Sequence, residues 1–396
     1  MKRKTISLVF LILFLVFPVF AERVAMPALA MPTAASNGFG GTHVAYTDNV
    51  YSLLVNPAAM IRVQQRSFFN LAPSLLSPQT TVELSKSIVD LAKGDTDTLG
   101  SMANALSRQK GKIALGMELR EFPLSFAWVA NGFGVGLWNR VFVNANVIGT
   151  NVDADIYGDV MLPVGFAFKI LALENHSVDA GVTVKPFARV RAKESERITN
   201  LMDNTSDFID NINVPLILGG GFDLGFLYRW TGGLQAGLTF DDIFSRGTVI
   251  HDIKGNDPNS YYIPFTMNLG LSYGFNIAFL GVTVAADWHD ITNAFNQDDY
   301  LNHRNVALDF GLGLQVSLFD IFLVRIGMNE MLPAFGIGFD LGPCKIDLAY
   351  YGREFGKEPG QLSVATFDLS IAIRPGAEKR DWPWTRRSLA GLFTGE

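Results

Sequence analysis

Lys185, Arg189 and Arg191 stand on one parity of an alternating run, so a strand there points all three side chains to the same side. Arginine grips a carboxylate with two parallel hydrogen bonds, whereas lysine offers a compact point charge. Such a set holds the acidic head of an amphiphilic molecule, or else neutralises acids of the same surface, among which Asp223, Asp287, Asp309 and Asp347 are available. Arg140 shares a parity with Gly134, Gly136 and Asn144 and joins the set if the surface curves. Other chemistry is thinly supplied. Asp241-Asp242, Asp298-Asp299 and Asp287-Trp288-His289-Asp290 invite a search for paired carboxylates, but neighbouring residues on a strand face opposite ways. Glu118 and Arg120 share a face and read as an ion pair. The five histidines (His43, His176, His251, His289, His303) show no HxH or HExxH spacing, and the single Cys344 allows no disulfide framework or multi-cysteine metal site. No metal, cofactor or enzymatic activity is expected.

The elements that carry these residues must suit a chain of 396 residues with 48% hydrophobic but only 18% charged content. Ordinary globular chains carry about a quarter charged residues. So apolar a chain is not disordered, and a net charge of −6 speaks against a nucleic-acid partner. Lys2, Arg3 and Lys4 precede an apolar run from Ile6 to Phe20 that closes on Val19-Phe20-Ala21, the pattern of an export signal cleaved after Ala21. Its loss removes three bases and no acid, leaving −9. The run is shorter than the roughly 20 residues of a membrane helix, and no helix-length apolar run follows it. The apolar surface must be buried internally or shown to lipid by strands.

Strand periodicity is plain. Val178, Ala180, Val182, Val184, Pro186, Ala188 and Val190 alternate with Asp179, Gly181, Thr183, Lys185, Phe187, Arg189 and Arg191. The same period predicts strands over 66–75, 111–130, 133–147, 153–171, 176–192, 214–230, 233–249, 262–275, 278–290, 305–319, 321–330, 334–341, 343–352 and 362–374. The intervening segments alternate between lengths of up to 35 residues and lengths of at most 4, with Asn131-Gly132 and Thr231-Gly232 as tight-turn signals. Long, alternating strands with short turns on one rim and long loops on the other predict an all-β fold, a transmembrane antiparallel up-and-down barrel of about 14 strands. Closure is required because backbone groups in lipid must pair among themselves. The even count places both termini on the short-turn, periplasmic rim of an outer-membrane protein. Trp128, Tyr157, Tyr228, Trp230, Tyr262, Trp288 and Tyr350 fall near strand ends, as aromatic girdles do.

Four regions result: a signal peptide over 1–21, an N-terminal segment over 22–65, the barrel over 66–374 and a polar tail over 375–396. The N-terminal segment is rich in small residues and contains Gly40-Gly41-Thr42-His43-Val44-Ala45-Tyr46-Thr47-Asp48-Asn49, followed by Asn56-Pro57-Ala58-Ala59-Met60. Here the sequence resembles the FadL-like outer-membrane transporters of long-chain fatty acids and other hydrophobic compounds. Their N-terminal segments often read G-x-A-x-A-x-D-D-A-x-A-x-x-x-N-P-A-G-L, with Gly where this chain has Ala59. The resemblance implies that 22–65 folds inside a fourteen-stranded barrel as a hatch. It also implies passive uptake of a hydrophobic small molecule, captured at outer loops and released after hatch movement. Related barrels with the same motif are secretion-machine subunits that bind protein partners, and a general porin is a further alternative, although an open pore needs no plug.

Within this frame Asn56, Pro57 and Ala58 either anchor the hatch and gate the lumen or form a plain strand-entry turn. Around Pro123 the apolar parity switches from Ile113, Leu115, Met117 and Leu119 to Leu124, Phe126 and Trp128. Either a bulge bends this strand, or two shorter strands meet at a turn. In the resembled family a kinked early strand opens the wall sideways. In the loop 76–110, Leu84, Ile88 and Leu91, and then Leu99, Met102 and Leu106, recur at helical spacing. Two short amphipathic helices there either pack on each other or receive an apolar ligand, as loop helices of the family do. The tail from Pro375 is either disordered or a docking peptide for a periplasmic partner. The expected protein is a monomer whose partners are the ligand and outer-membrane lipid.

Overall fold

The structure, a computed structural model, describes residues 23–47, 49–63, 74–78, 112–121, 125–148, 151–197, 213–251, 260–277, 279–295 and 304–374. The expected signal peptide, the loop helices with Leu84, Ile88, Leu91, Leu99, Met102 and Leu106, the residue Pro123 and the tail 375–396 lie outside the described residues. In chain order the strands are β1 (Arg23–Ala25), β2 (Ser74–Pro78), β3 (Lys112–Arg120), β4 (Phe126–Ala130), β5 (Phe133–Ile148) and β6 (Asn151–Met161). Then come β7 (Val164–Ala172), β8 (His176–Arg197), β9 (Leu216–Trp230), β10 (Leu234–His251), β11 (Ser260–Tyr262) and β12 (Thr266–Ile277). The last six are β13 (Leu280–Trp288), β14 (Phe310–Leu318), β15 (Phe322–Asn329), β16 (Leu332–Asp340), β17 (Cys344–Glu354) and β18 (Ser363–Ile373).

From β2 to β18 every pairing is antiparallel, and β18 pairs back to β2 through Ser370↔Ser74 to Thr366↔Pro78, which closes the wall. Three passes are interrupted (β3/β4, β6/β7 and β11/β12), so seventeen segments make fourteen passes. The first pass is described from Ser74, later than the expected 66–75, because the strand that meets β18 is Ser74–Pro78.

Where side chains are described, the passes are amphipathic with period two. Val141 and Val143 on β5, Phe166, Phe168 and Ile170 on β7, Leu269, Leu271 and Tyr273 on β12, and Phe335 and Ile337 on β16 face outward and are exposed. Arg140, Thr183, Lys185, Arg189, Asp223, Asn268, Arg325, Asp347 and Asp368 face inward and are buried. An apolar exterior with a polar interior is stable only in lipid. The chain is an outer-membrane β-barrel. Trp128, Phe133 and Phe166 pack with tilted rings near the short-turn rim. Tyr157, expected in the girdle, instead faces inward, with the guanidiniums of Arg140 and Arg189 at 4.9 and 5.0 Å from its ring centre.

The tight turns follow backbone chirality. Asn131 and Gly132 both take positive φ, as a two-residue hairpin requires. At the next such turn the positive φ falls on Gly233, not on Gly232.

Residues 23–63 are not part of this wall, apart from β1, which adds in parallel to β11 (Arg23↔Ser260). They run along its inner surface. Because β11 begins at the long-loop rim, the described chain starts there and not at the short-turn rim expected for the N-terminus. A short helix at Ala34–Gly38 is capped by Thr33, whose hydroxyl accepts from Ser36 N. It lies against β15–β18. The segment then crosses β14, β12, β10, β9 and β8, and its 3₁₀ turn Pro57–Arg62 ends near the short-turn rim, where Arg62 pairs with Asp179 at 2.5 Å.

Candidate functional site

The inner surface receives this segment through a belt of glycines. Gly336 meets Gly38, Gly327 and Gly311 meet Gly40, Gly313 meets Phe39, and Gly237 and Gly270 meet Val44 and Ala45. Gly225 meets Asn56 and Pro57, Gly181 meets Pro57, and Gly165 and Gly134 meet Leu53 and Met60. At each position a methyl group would collide with the segment. Many of its members are cross-strand partners: Gly134↔Gly165, Gly181↔Gly225, Gly237↔Gly270↔Asp287↔Gly311 and Gly313↔Gly327, and the belt steps by two residues where Gly165 faces Thr183 and Gly225 faces Thr239. Where the belt lacks glycine, at Asp287, the carboxylate accepts from His43 N and Val44 N at 2.6 and 2.9 Å.

Asn56 is fully buried and joins three pieces of chain. Its Oδ1 accepts from Ala58 N, and its Nδ2 donates to Val44 O within the segment and to Phe226 O in the wall, at 3.1, 2.9 and 3.2 Å. Pro57 fills the first position of the 3₁₀ turn, where no N–H is needed. Asn56-Pro57-Ala58 therefore fastens the segment to β8 and β9. Around it Met26, Leu29, Met31, Leu53, Leu54 and Met60 pack with Trp138, Met161, Phe187 and Ile217 in a dry core inside the barrel.

Of the basic residues singled out from the sequence, Arg140 and Arg189 meet at one acid, whereas Arg191 and Lys185 each hold acids of their own. Arg140 and Arg189 share Asp159, at 2.6 and 2.5 Å, and Arg191 binds Asp155 at 2.8 Å. Their remaining donors hold the segment: Arg140 donates to Ala28 O and Ala30 O, Arg189 to Pro27 O, and Arg191 to Ala25 O. Lys185 lies between Asp223 and Asp242, 2.8 Å from each. Arg120 binds Asp368 at 2.6 Å and stands 3.9 Å from Glu118.

One expectation about the acids fails for a clear reason. Between Phe240 and Ile243 the β9–β10 register shifts, so Asp241 and Asp242 together oppose Asp223, and Asp242 takes positive φ. The bulge sends both acids inward: Asp242 to Lys185, and Asp241 to Asn268 Nδ2 at 2.7 Å. The expected register break around Pro123 is visible in its flanks. Arg120 pairs with Arg140 and Phe126 with Leu137, so the described ladders on the two sides are out of step, and the inward parity changes from Glu118 and Arg120 to Ala127 and Val129.

Among the described residues a cavity of about 940 Å³ lies between segment and wall. Met31, Phe39, Leu54 and Leu227 line it beside Arg140, Arg325, Lys345, Asp309 and Glu330. Of the four basic residues first considered, Arg140 lines it. Arg325 was not among the residues singled out by pattern; its Nη1 binds Asp347 Oδ1 at 2.8 Å and its Nε donates to Gln315.

At the long-loop rim, Asp309 accepts from Asn293 Nδ2 at 2.7 Å, and Arg304 stands 3.3 Å away. Burial, reinforced by Asp290 and Glu330 and opposed by Asn293 and Arg304, pushes its carboxyl up to about 6. The native loop thus holds a proton more tightly than the unfolded chain does. Its stabilisation is complete below the ordinary value of 3.8 and is lost as pH rises to about 6. Amide-exchange protection of 289–295 and 304–309, corrected for intrinsic rates, is expected to fall across that window, and Asp309→Asn to flatten the fall.

No family model matches the chain, and no curated protein matches it. Among solved structures, the CymD monoaromatic hydrocarbon channel is 13% identical with a TM-score of 0.47, over 88% of this chain and 99% of that one. The P. putida toluene transporter TodX is 12% identical with a TM-score of 0.47, over 86% and 97%. The translocator domain of the autotransporter NalP from Neisseria meningitidis is 9% identical with a TM-score of 0.35, over 78% and 90%.

Proposed function

We propose that this barrel is a passive conduit for hydrophobic small molecules across the outer membrane, gated by its N-terminal segment, and that its cargo is an amphiphile of the long-chain fatty acid type. The observation that supports this most is the lumen itself. A porin needs an open aqueous path, whereas here the barrel's own chain occupies the interior and leaves a cavity with both apolar and charged walls. An apolar chain with one acidic head fits such a lining, the tail against Leu54 and Leu227 and the head toward Arg140 or Arg325. Transport then runs down a gradient: capture at the long-loop rim, residence beside the segment, and release as the segment shifts. The change of register between β3 and β4 supports a sideways exit at that point of the wall.

Lys185, Arg189 and Arg191 take a supporting part here, holding segment and wall in register, while Arg140 also faces the cargo. Lipid co-purified with the protein, identified by mass spectrometry, tests the cargo class. Arg140→Gln is expected to weaken binding of a long-chain fatty acid about tenfold, the value of one charge-assisted hydrogen bond, and to leave its uncharged alcohol unchanged. Equal loss for both would reduce Arg140 to a wall-supporting role.

A further inference from the structure

His43 belongs to the N-terminal segment, whereas Asp287 and His289 belong to the end of β13 and the residue just past it. The fold stacks the two imidazoles with ring centres 5.0 Å apart and 22° between their planes. Asp287 Oδ2 lies 4.0 Å from His289 Nε2, and one donor atom from each of the three residues falls within 4.8 Å of the other two. Both histidines line the lumenal cavity, so the group is reachable from solvent. Asp287 is buried, and its Oδ1 has no hydrogen-bond partner among the described residues. Elsewhere on the inner wall, buried acids such as Asp159 and Asp347 face an arginine, but none of the ion pairs at Asp287 brings it a lysine or arginine.

We infer that His43, Asp287 and His289 form a binding site for a divalent transition-metal ion, which staples the N-terminal segment to the wall. Two imidazoles and one carboxylate are the donor set that zinc and its neighbours favour, with water completing the shell. A tetrahedral zinc ion at about 2.0–2.1 Å from its ligands sets them about 3.4 Å apart. The donors therefore have to draw together from spacings of up to 4.8 Å, and the stacked rings have to turn so that their lone pairs converge. The ion would also supply the positive charge that Asp287 lacks. Asp287 already accepts two amides of the segment, so the ion adds a third tie at the same point.

The test uses the full chain, folded in detergent and prepared without a histidine tag. Zinc(II) alone is titrated calorimetrically, and bound metal is counted by elemental analysis after desalting. One ion per barrel is expected. His43→Gln and His289→Gln are each expected to weaken its affinity at least tenfold, the lower end of what even outer-shell partners are worth. Asp287→Asn is the second probe. Its amide oxygen keeps an acceptor for His43 N and Val44 N, so the segment stays seated while the anionic ligand is lost, and the same weakening is expected. Heat-dependent migration of each variant on a detergent gel checks that the barrel is folded. No saturable binding by the native chain, or unchanged affinity in all three folded variants, would overturn the assignment.

Discussion

Gly181→Val and Gly225→Val are expected to open the barrel without unfolding it. The new side chain at 181 would strike the backbone of Pro57 and Ala58, and that at 225 would strike Asn56 and Pro57. Overpacking of this kind costs about 1–3 kcal/mol per site. The wall, paired with an antiparallel neighbour on both sides of each position, is the stiffer partner. The segment should yield, losing the anchor at Asn56 and the core around Leu53 and Met60. Liposomes carrying either variant should leak small sugars much faster than those with the native protein, and the double variant should approach the leak of a barrel lacking residues 22–50. Gly274→Val is the control, because its nearest neighbour is Thr283 Oγ1 at an ordinary 3.6 Å. A native-like closed barrel in both belt variants would show that the segment does not seal the lumen.

Asp159→Asn should be the most destabilising single exchange of a charged residue. Asp159 is buried and serves Arg140 and Arg189 together, and those two arginines hold the carbonyls of Pro27, Ala28 and Ala30. Removing its charge leaves two buried guanidiniums around one neutral amide. Breaking a buried ion pair from one side costs about 3–5 kcal/mol. The urea midpoint of the folded barrel should drop accordingly, and protease should reach the segment near Pro27. Replacing all three residues with apolar ones of similar size should restore most of the loss, since the penalty lies in the orphaned charges. A midpoint within error of the native one would refute this account of the cluster.

The wall was legible from the sequence because lipid outside and a polar interior impose a strict period of two. Fourteen passes and the tight turn at Asn131-Gly132 follow from it. Alternation fails where a bulge intervenes, as at Asp241-Asp242, since an inserted residue leaves no mark in composition. Asp223 stood among the acids available to the basic residues, but which acid each one takes was hidden for a related reason. Assigning Asp223 to Lys185, or Asp159 and Asp155 to the arginines, requires the register of neighbouring strands to the residue, and an error of one turns every side chain over. His43 and His289 show no local ligand spacing because they meet only through the seating of the segment. The glycines were visible as small residues on the polar parity; what they make room for was not.

The seam between β2 and β18 lies just beyond the segment's end in the chain, while the segment's first residues rest at the far rim beside β11. This arrangement constrains the order of assembly. If the seam closed first, Arg23–Ala25 would have to be drawn through the full length of a finished tube, past a ring of side chains that leaves no clearance at the glycines. The sheet must instead curl while still open, using its own leading end as a mandrel. Contacts between the first forty residues and strands that appear hundreds of residues later are of the long-range kind that folds slowly. Seating the segment and sealing the tube thus become one late event, and a leading end that cannot lie flat would leave the tube to close around an unseated segment.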